Sequence, residues 1–181
     1  GLAAGYWGGR IDSLIMRSMD ILMAIPYVLL AILIVAILGP GIWNAMIAIG
    51  IVQVPQFARV VRGSVLAVRE LEYVQAAKVL GASDSRIIRI HILRNSLSPL
   101  IVQTSLTFAS AILFAAALGF LGLGAQPPAP EWGAMLADGR KLLLSSPWAA
   151  VFPGAAIVFF VLGFNLLGDG IRDALDVRMK H

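Results

Sequence analysis

Charged residues fall along this 181-residue chain in clumps, and between the clumps run three long stretches that carry none, at residues 21–58, 95–130 and 142–168. A charge held at mid-bilayer costs roughly 2.5–3.5 kcal/mol on insertion scales, so charge-free runs of this length mark membrane crossings. A helical crossing takes about 20 residues, which makes the first run long enough for two. Gly39-Pro40-Gly41 divides it, because such a cluster is a turn that few helices carry through. The pattern predicts four spans, at about 19–38, 43–66, 97–121 and 149–169. Pro26, Pro55 and Pro153 lie inside them and are tolerated as kinks where neighbouring groups take up the freed carbonyls. The period of two that a barrel strand requires is absent from runs such as residues 28–35. The predicted fold is all-α: a polytopic transmembrane helical bundle forming one domain over residues 1–181.

The basic residues orient these spans. Arg10 and Arg17 precede the first. Arg59, Arg62, Arg69, Lys78, Arg86, Arg89 and Arg94 cluster at the inner end of the second and in the loop after it, and Arg172, Arg178 and Lys180 follow the fourth. Only Arg140 and Lys141 fall on the opposite side, where Glu131 and Asp138 accompany them. Twelve of the fourteen basic residues thus share one face, a positive-inside signal that puts both ends of the chain in the cytoplasm. Residues 67–96 become a cytoplasmic loop and residues 122–148 an external segment.

Composition agrees with this picture. Hydrophobic residues make up 59% and charged residues 13%, too little polar surface for a water-soluble globule and too much aliphatic content for a disordered chain. The mean hydropathy is +0.87. The net charge of +4 follows from topology, which removes the main support for a nucleic-acid partner. With no cysteine, disulfides and thiolate metal sites are impossible. The chain opens on Gly1 with no basic leader ahead of an apolar core, so no signal peptide is expected and the start looks like that of a fragment.

The 67–96 loop is more organised than a linker. Residues 70–80 predict a short helix, with Tyr73, Ala76, Ala77 and Leu80 at i, i+3, i+4 and i+7 on one face. Gly81 stands where a left-handed C-terminal cap would sit, and Ser83 or Asp84 can N-cap a second helix through residues 86–93. Small alanines on an exposed face let a partner's backbone approach closely. A bland helix lying on lipid has the same periodicity.

The stretch Tyr73-Val74-Gln75-Ala76-Ala77-Lys78-Val79-Leu80-Gly81, continuing to His91-Ile92-Leu93, resembles the EAA loop of bacterial ABC-importer permeases. That pattern runs E-A-A, three residues, Gly, nine residues, then I-x-L-P. Gln75 stands for the glutamate, Ala76, Ala77 and Gly81 match, His91 takes the isoleucine position, and Arg94 replaces the proline. Losing that proline should leave the second loop helix less sharply terminated, with Pro99 as a substitute breaker. Gly8-Gly9-Arg10-Ile11-Asp12 with Met16-Arg17 and Asp20, the stretch Leu118 to Pro128, and Pro130-Glu131-Trp132-Gly133 are similar to segments of dipeptide and oligopeptide permeases. So is Phe164 to Asp176, although Val177 stands where a proline is usual. The combination resembles the C-type permease subunit of a dipeptide-type importer, with the type I ABC importer permease fold. Such subunits are expected to carry six spans, so this chain would lack the first and most of the second.

The resemblance implies a multi-pass protein of the bacterial inner membrane, working with a second permease subunit, two cytoplasmic ATPase subunits and an external substrate-binding protein. The first loop helix would be the coupling helix, seated in a groove of an ATPase, with Tyr73, Gln75, Ala76, Ala77, Gly81 and Asp84 as its working residues. Dipeptides are the first expected substrate, then longer peptides, with glutathione and nickel importers as alternatives on the same scaffold.

Polar residues within the spans have two readings. Asn44, Gln53 and Gln56 sit on the second span, Gln103, Thr104, Ser105 and Thr107 on the third, and Asn165 on the fourth. They suit a translocation path that meets peptide backbone through neutral hydrogen bonds, and they equally suit helix–helix contacts. The sequence sets no charge pair within the spans, and Arg59 and Arg62 read as snorkelling to the inner boundary. Trp132 and Trp148 are expected in the interfacial belt.

The remaining chemistry is negative. No G-x-x-x-x-G-K-[ST] loop occurs, so ATP hydrolysis belongs to partner subunits and the chain itself is not expected to be an enzyme. His91 and His181 lack ligand-spaced partners, and no metal or other cofactor is expected. A secondary transporter or channel subunit is the alternative of another class. It would require intramembrane carboxylates or a repeated half, which the sequence does not offer.

Overall fold

The computed structural model describes the backbone of residues 1–179 and the side chains of residues 1–174. Leu175, Asp176, Val177, Arg178, Lys180 and His181, on which part of the sequence reading rests, lie outside those described side chains. The regular elements among the described residues are helical. In order they are α1 (Leu2–Trp7), α2 (Gly9–Ala24), α3 (Tyr27–Leu38), α4 (Ile42–Arg69), α5 (Glu72–Val79), α6 (Asp84–Arg86), a π-helical stretch (Ile87–Ile92) and α7 (Leu93–Phe120). Then come α8 (Trp132–Gly139), a 3-10 turn (Arg140–Leu142) and α9 (Trp148–Met179). Ile42–Arg69, Asp84–Phe120 and Trp148–Ala174 are each long and apolar enough to cross a bilayer. α2 and α3 pass the same test only as a pair.

Two expectations change. The first predicted span, 19–38, is not one helix, because the chain breaks at Ile25 and Pro26. Pro26 has no amide to donate, its ring pushes the preceding residue out of helical geometry, and it sits extended at φ −51°, ψ 127°. Pro55 and Pro153 stay within continuous helices. The sequence predicts a second loop helix that ends before a separate span at 97, but α6, the π stretch and α7 form one 37-residue helix. Arg94 keeps the amide that a proline there would remove, and Pro99 lies inside α7 without ending it.

The chain divides into two compact units. One is built from Gly1–Ala24 and Val54–Thr104. Its core is Val65, Val68, Val74, Ile87 and Ile92, with Leu2, Tyr6, Val61 and Ala82 packed around them. Charge ties α2 to α4 in this unit. Arg62 grips Asp12 with two parallel bonds, Nε to Oδ1 and Nη2 to Oδ2, each 2.6 Å, and Arg59 meets Asp20 at 2.6 Å. Both arginines, read from the sequence as snorkelling, thus have carboxylate partners. Arg69 Nη1 donates to the Gly5 carbonyl at 2.8 Å, holding α1 to the end of α4.

The second unit comprises Ile25–Gln53 and Ser105–Asp176. Ala31, Val35, Ala45, Ala48 and Leu118 form its core, a set small enough to let α3, α4 and α7 approach closely. Aromatic contacts extend it: Tyr27 meets Phe114 edge-on at 4.7 Å, Phe108 stacks on Phe164 at 5.6 Å, and Trp132 lies 4.9 Å from Phe160. Trp132 thus packs onto α9, whereas Trp148 is exposed. Outward-facing Leu29, Leu33, Ile37, Phe159 and Leu166 are exposed as well, which suits helices whose solvent is hydrocarbon.

The two α2–α4 pairs differ in enclosure. Asp12 and Arg62 are 18% and 35% exposed, against 59% and 50% for Asp20 and Arg59. Losing one partner strands the other charge only where water is scarce. Asp12→Asn should therefore lower the thermal unfolding midpoint of the detergent-solubilised protein, while Asp20→Asn leaves it nearly unchanged. Equal shifts would show that enclosure does not set the strength of these pairs.

Candidate functional site

The segment from Arg69 to Asn95 has one committed side and one bare side. α5 begins after an extended Leu71 and buries only Val74, 4% exposed, in the first unit's core. Tyr73 is 45% exposed and Val79 and Leu80 are each 86% exposed, with Ala76 exposed and Ala77 half-buried. A helix whose apolar tip stands in the open in this way offers a docking surface.

The C-terminus of α5 is closed by its own backbone. The Gly81 amide reaches the Lys78 carbonyl at 3.1 Å and the Ala82 amide reaches the Ala77 carbonyl at 3.0 Å, the paired bonds of a Schellman motif. Gly81 makes them possible at φ +82°, and no atom lies within 4 Å of where a Cβ would stand. A side chain at this position is opposed by backbone strain alone, on the order of 1–2 kcal/mol.

Polar side chains then fix the segment. Gln75 Nε2 donates to the Arg69 carbonyl at 2.8 Å, tying α5 back to the end of α4. A carboxylate could only accept, so a glutamine and not a glutamate permits this closure. Asn95 Nδ2 donates to the Tyr73 hydroxyl at 2.9 Å and to the His91 carbonyl at 2.6 Å, which serves a carbonyl in the wide π turn. The Tyr73 and His91 rings lie 5.7 Å apart.

Asp84 does something other than capping. Ser83 occupies the N-cap position without a side-chain bond, and Asp84 Oδ1 accepts the Tyr6 hydroxyl at 2.6 Å. Partial burial, then that bond and the carboxylate's charge, push the Tyr6 pKa up from 10 to about 12. A polar cleft of about 360 Å³ lies here, lined by residues including Tyr6, Arg69, Glu70, Gln75, Lys78 and Asp84.

The residues read as a translocation path are distributed. Asn44 Nδ2 donates to the carbonyls of Leu38 and Gly39 at 3.0 and 2.9 Å, which commits its amide to closing the turn after α3. Thr104 bonds back to the Leu100 carbonyl at 2.7 Å. Gln103, Ser105 and Thr107 are half-buried and each has an interaction within the protein. Gln53 is half-buried, and Gln56 and Asn165 are exposed. Among the described residues, no three His, Asp or Glu side chains gather as a metal site.

The family model described as "Binding-protein-dependent transport system inner membrane component" matches residues 1–181. The chain belongs to that family. Over 99% of its length it is 60% identical to the dipeptide transport system permease protein DppC of Alkalihalophilus pseudofirmus, covering 59% of that protein. It is 57% identical to the probable D,D-dipeptide transport system permease protein DdpC of Escherichia coli K12, over 97% of this chain and 59% of that one. With the glutathione transport system permease protein GsiD of Pectobacterium atrosepticum it shares 50% identity, over 99% of this chain and 60% of the other. The chain thus spans about three-fifths of the length of these relatives. A chain of the inward-facing MetNI methionine ABC transporter superposes with a TM-score of 0.68 at 19% identity, over 96% of this chain and 82% of that one. The fold is that of an ABC-importer permease in the inner membrane.

Within this family fold, sequence reasoning missed Tyr6, Asn95 and the partners of Arg59 and Arg62. Asp12 and Asp20 carried a signal, since unpaired carboxylates beside a predicted span require cations nearby. Tyr6 carried none, because its partner Asp84 lies 78 positions away, and the Asn95 bond to Tyr73, 22 positions away, was equally hidden.

This geometry generates two testable outcomes. A raised tyrosine pKa stabilises the fold below pH 10 and loses that contribution as pH rises through about 12. The alkaline absorbance titration of wild type minus Tyr6→Phe should therefore place the Tyr6 midpoint well above 10, and a midpoint at 10 would mean that neither the burial of Tyr6 nor its bond to Asp84 holds. Gly81→Ala should cost about 1–2 kcal/mol locally, seen as faster amide exchange at Gly81 and Ala82 without loss of membrane insertion.

Proposed function

We propose that this chain is a permease subunit of an ATP-driven importer for dipeptides or other short peptides. The observation that carries this is the 60% and 57% identity, over nearly the whole chain, to permease proteins named for dipeptide transport. The chain pairs with a second permease subunit and is driven by two cytoplasmic ATPase subunits, and an external binding protein delivers the substrate. The nine basic residues within residues 1–24 and 54–104 support a cytoplasmic position for the loop and the first end of this chain, and Arg172, Arg178 and Lys180 support the same for the other end. Relatives named for glutathione at about 50% identity keep that tripeptide as the second reading.

The α5 loop is the coupling element. Tyr73, Ala76, Ala77, Val79 and Leu80 present the face that an ATPase groove receives, while Gln75, Gly81 and Asp84 hold the helix in position for it. ATP favours one arrangement of the ATPase pair, and α5 passes that bias to the spans. Gln53, Gln56, Gln103, Thr104, Thr107 and Asn165 offer neutral hydrogen bonds along the path, which suits substrates that share a backbone and differ in side chains. Asn44 supports the path by holding its turn.

Residues 1–181 contain no cysteine, so once any cysteine elsewhere in the full-length subunit is replaced, a single introduced thiol reports alone. A single cysteine at Ala77 of the full-length subunit, in inverted vesicles, should react rapidly with a membrane-impermeant maleimide and become protected when the cognate ATPase subunits are present. Equal labelling in both conditions would remove the coupling assignment. Gly81→Val should abolish peptide uptake while the subunit still inserts, and normal uptake would have the same consequence.

A further inference from the structure

The segment between α7 and α8 is built more rigidly than a connecting loop needs to be. α7 ends with the Gly122 amide on the Gly119 carbonyl at 2.9 Å and the Leu123 amide on the Leu118 carbonyl at 2.9 Å. Leu123 packs on the second unit's core. Gln126 Nε2 then donates to the Gly122 and Gly124 carbonyls at 3.1 and 3.0 Å, and the Ala129 amide returns to the Gln126 carbonyl at 3.1 Å. Beyond it, α8 lies directly on helix backbone: a Cβ at Gly133 would collide with the Ala116 carbonyl, and one at Gly139 would stand 2.7 Å from the Ala149 carbonyl.

Glu131 closes this arrangement. It occupies the N-cap position of α8 without capping it, and its carboxylate turns back to accept the Ala125 amide at 2.6 Å. The same carboxylate fills the space beside Gly119 and Gly124, where a Cβ on either glycine would collide with it. A carboxylate seated where two glycines leave room, with a short amide bond, is a latch across the base of the segment. What the latch holds out is uniform in chemistry. Gln126, Pro127, Pro128, Ala129 and Pro130 are all exposed, none is charged, and the three prolines have no amide to donate.

We infer that Glu131 is a positioning residue that presets residues 126–130 as a rigid, uncharged docking prominence for the external substrate-binding protein. This rests on the importer reading and on the outward orientation of residues 122–148. A prominence already fixed before docking loses little conformational freedom on association, so the latch acts through affinity for the binding protein and not through the ATPase step. The matching surface supplies amide or hydroxyl donors and apolar contact. Because no charge is presented, this contact is only weakly salt-dependent.

The test uses the complete importer in nanodiscs, with Glu131→Ala, Glu131→Gln, Gly119→Ala and the Gly119→Ala/Glu131→Ala double variant. Amide exchange over residues 121–131 reads the latch alone. It should quicken about tenfold or more in Glu131→Ala and stay near wild type in Glu131→Gln, which still accepts the Ala125 amide. Gly119→Ala should behave like Glu131→Ala, and the double variant should be no worse than either, since removing the carboxylate makes room for the new methyl. In the ATPase assay, Glu131→Ala should raise the binding-protein concentration for half-maximal stimulation several-fold, about the loss of one charge-assisted bond's ordering. Basal and maximal rates should hold. Unchanged exchange in Glu131→Ala would overturn the latch. Faster exchange with an unchanged half-maximal concentration would overturn its docking role. Failure of the binding protein to stimulate even the wild type would overturn the importer reading, and the docking role with it, while the exchange data still reported on the latch.

Discussion

Hydrocarbon offers a polypeptide no hydrogen-bond partners, so each amide and carbonyl in the spans must find one within the protein, and the same economy extends to the segments that join them. Regular helix meets that demand wherever it runs. The informative places are those where helix stops, because there a side chain or a returning backbone amide supplies what the helix no longer does. At the Gly39-Pro40-Gly41 turn it is the Asn44 amide, which serves two carbonyls. At the end of α5 the Gly81 and Ala82 amides fold back, and in the π turn Asn95 reaches the His91 carbonyl. After α7 the Glu131 carboxylate takes the Ala125 amide. Much of the polar inventory of this apolar chain is thus placed at breaks in its helices.

That distribution bears on how polar residues in the spans are understood. Asn44 and Thr104 are bonded to nearby carbonyls, and Gln103, Ser105 and Thr107 are engaged as well. Under the proposed importer reading, Gln53, Gln56 and Asn165 are the better candidates for contacting a substrate. A path that carried charge would hold carboxylates or guanidinium groups along it, and the arginines nearest the second span are occupied by Asp12 and Asp20. Neutral amides and hydroxyls are left, which fits the proposed short-peptide substrate.

The legibility of these features in the sequence depended on range. The long apolar helices were legible because the cost of an intramembrane charge acts residue by residue. Gly81 was legible because a left-handed cap has a local signature. The break at Pro26 was not, since Pro55 and Pro153 sit within helices that continue, and proline alone does not say which helix its neighbours will sustain. The run of helix from Asp84 through Arg94 and Pro99 was equally hidden, because an arginine in place of a proline removes a stop without fixing where the helix then ends. Pairs such as Tyr6 with Asp84, 78 positions apart, are invisible to any local pattern.

Those distant pairs change how the loop can act. Gln75 holds the Arg69 carbonyl, Arg69 holds the Gly5 carbonyl, and Tyr6, next to Gly5, holds Asp84 at the start of the long helix. Arg62 and Asp12 continue the connection from α4 into α2. Within this unit α5 is therefore bonded to the elements around it on several sides while its outer face stays bare. A force applied to that bare face cannot be absorbed by bending a loose loop, because each neighbour is held by a hydrogen bond or an ion pair of 2.6–2.8 Å. It must move α1, α2 and the ends of the spans together. Packed elements with fixed contacts tend to shift between discrete arrangements and deform little in between, which is the behaviour a coupling element requires.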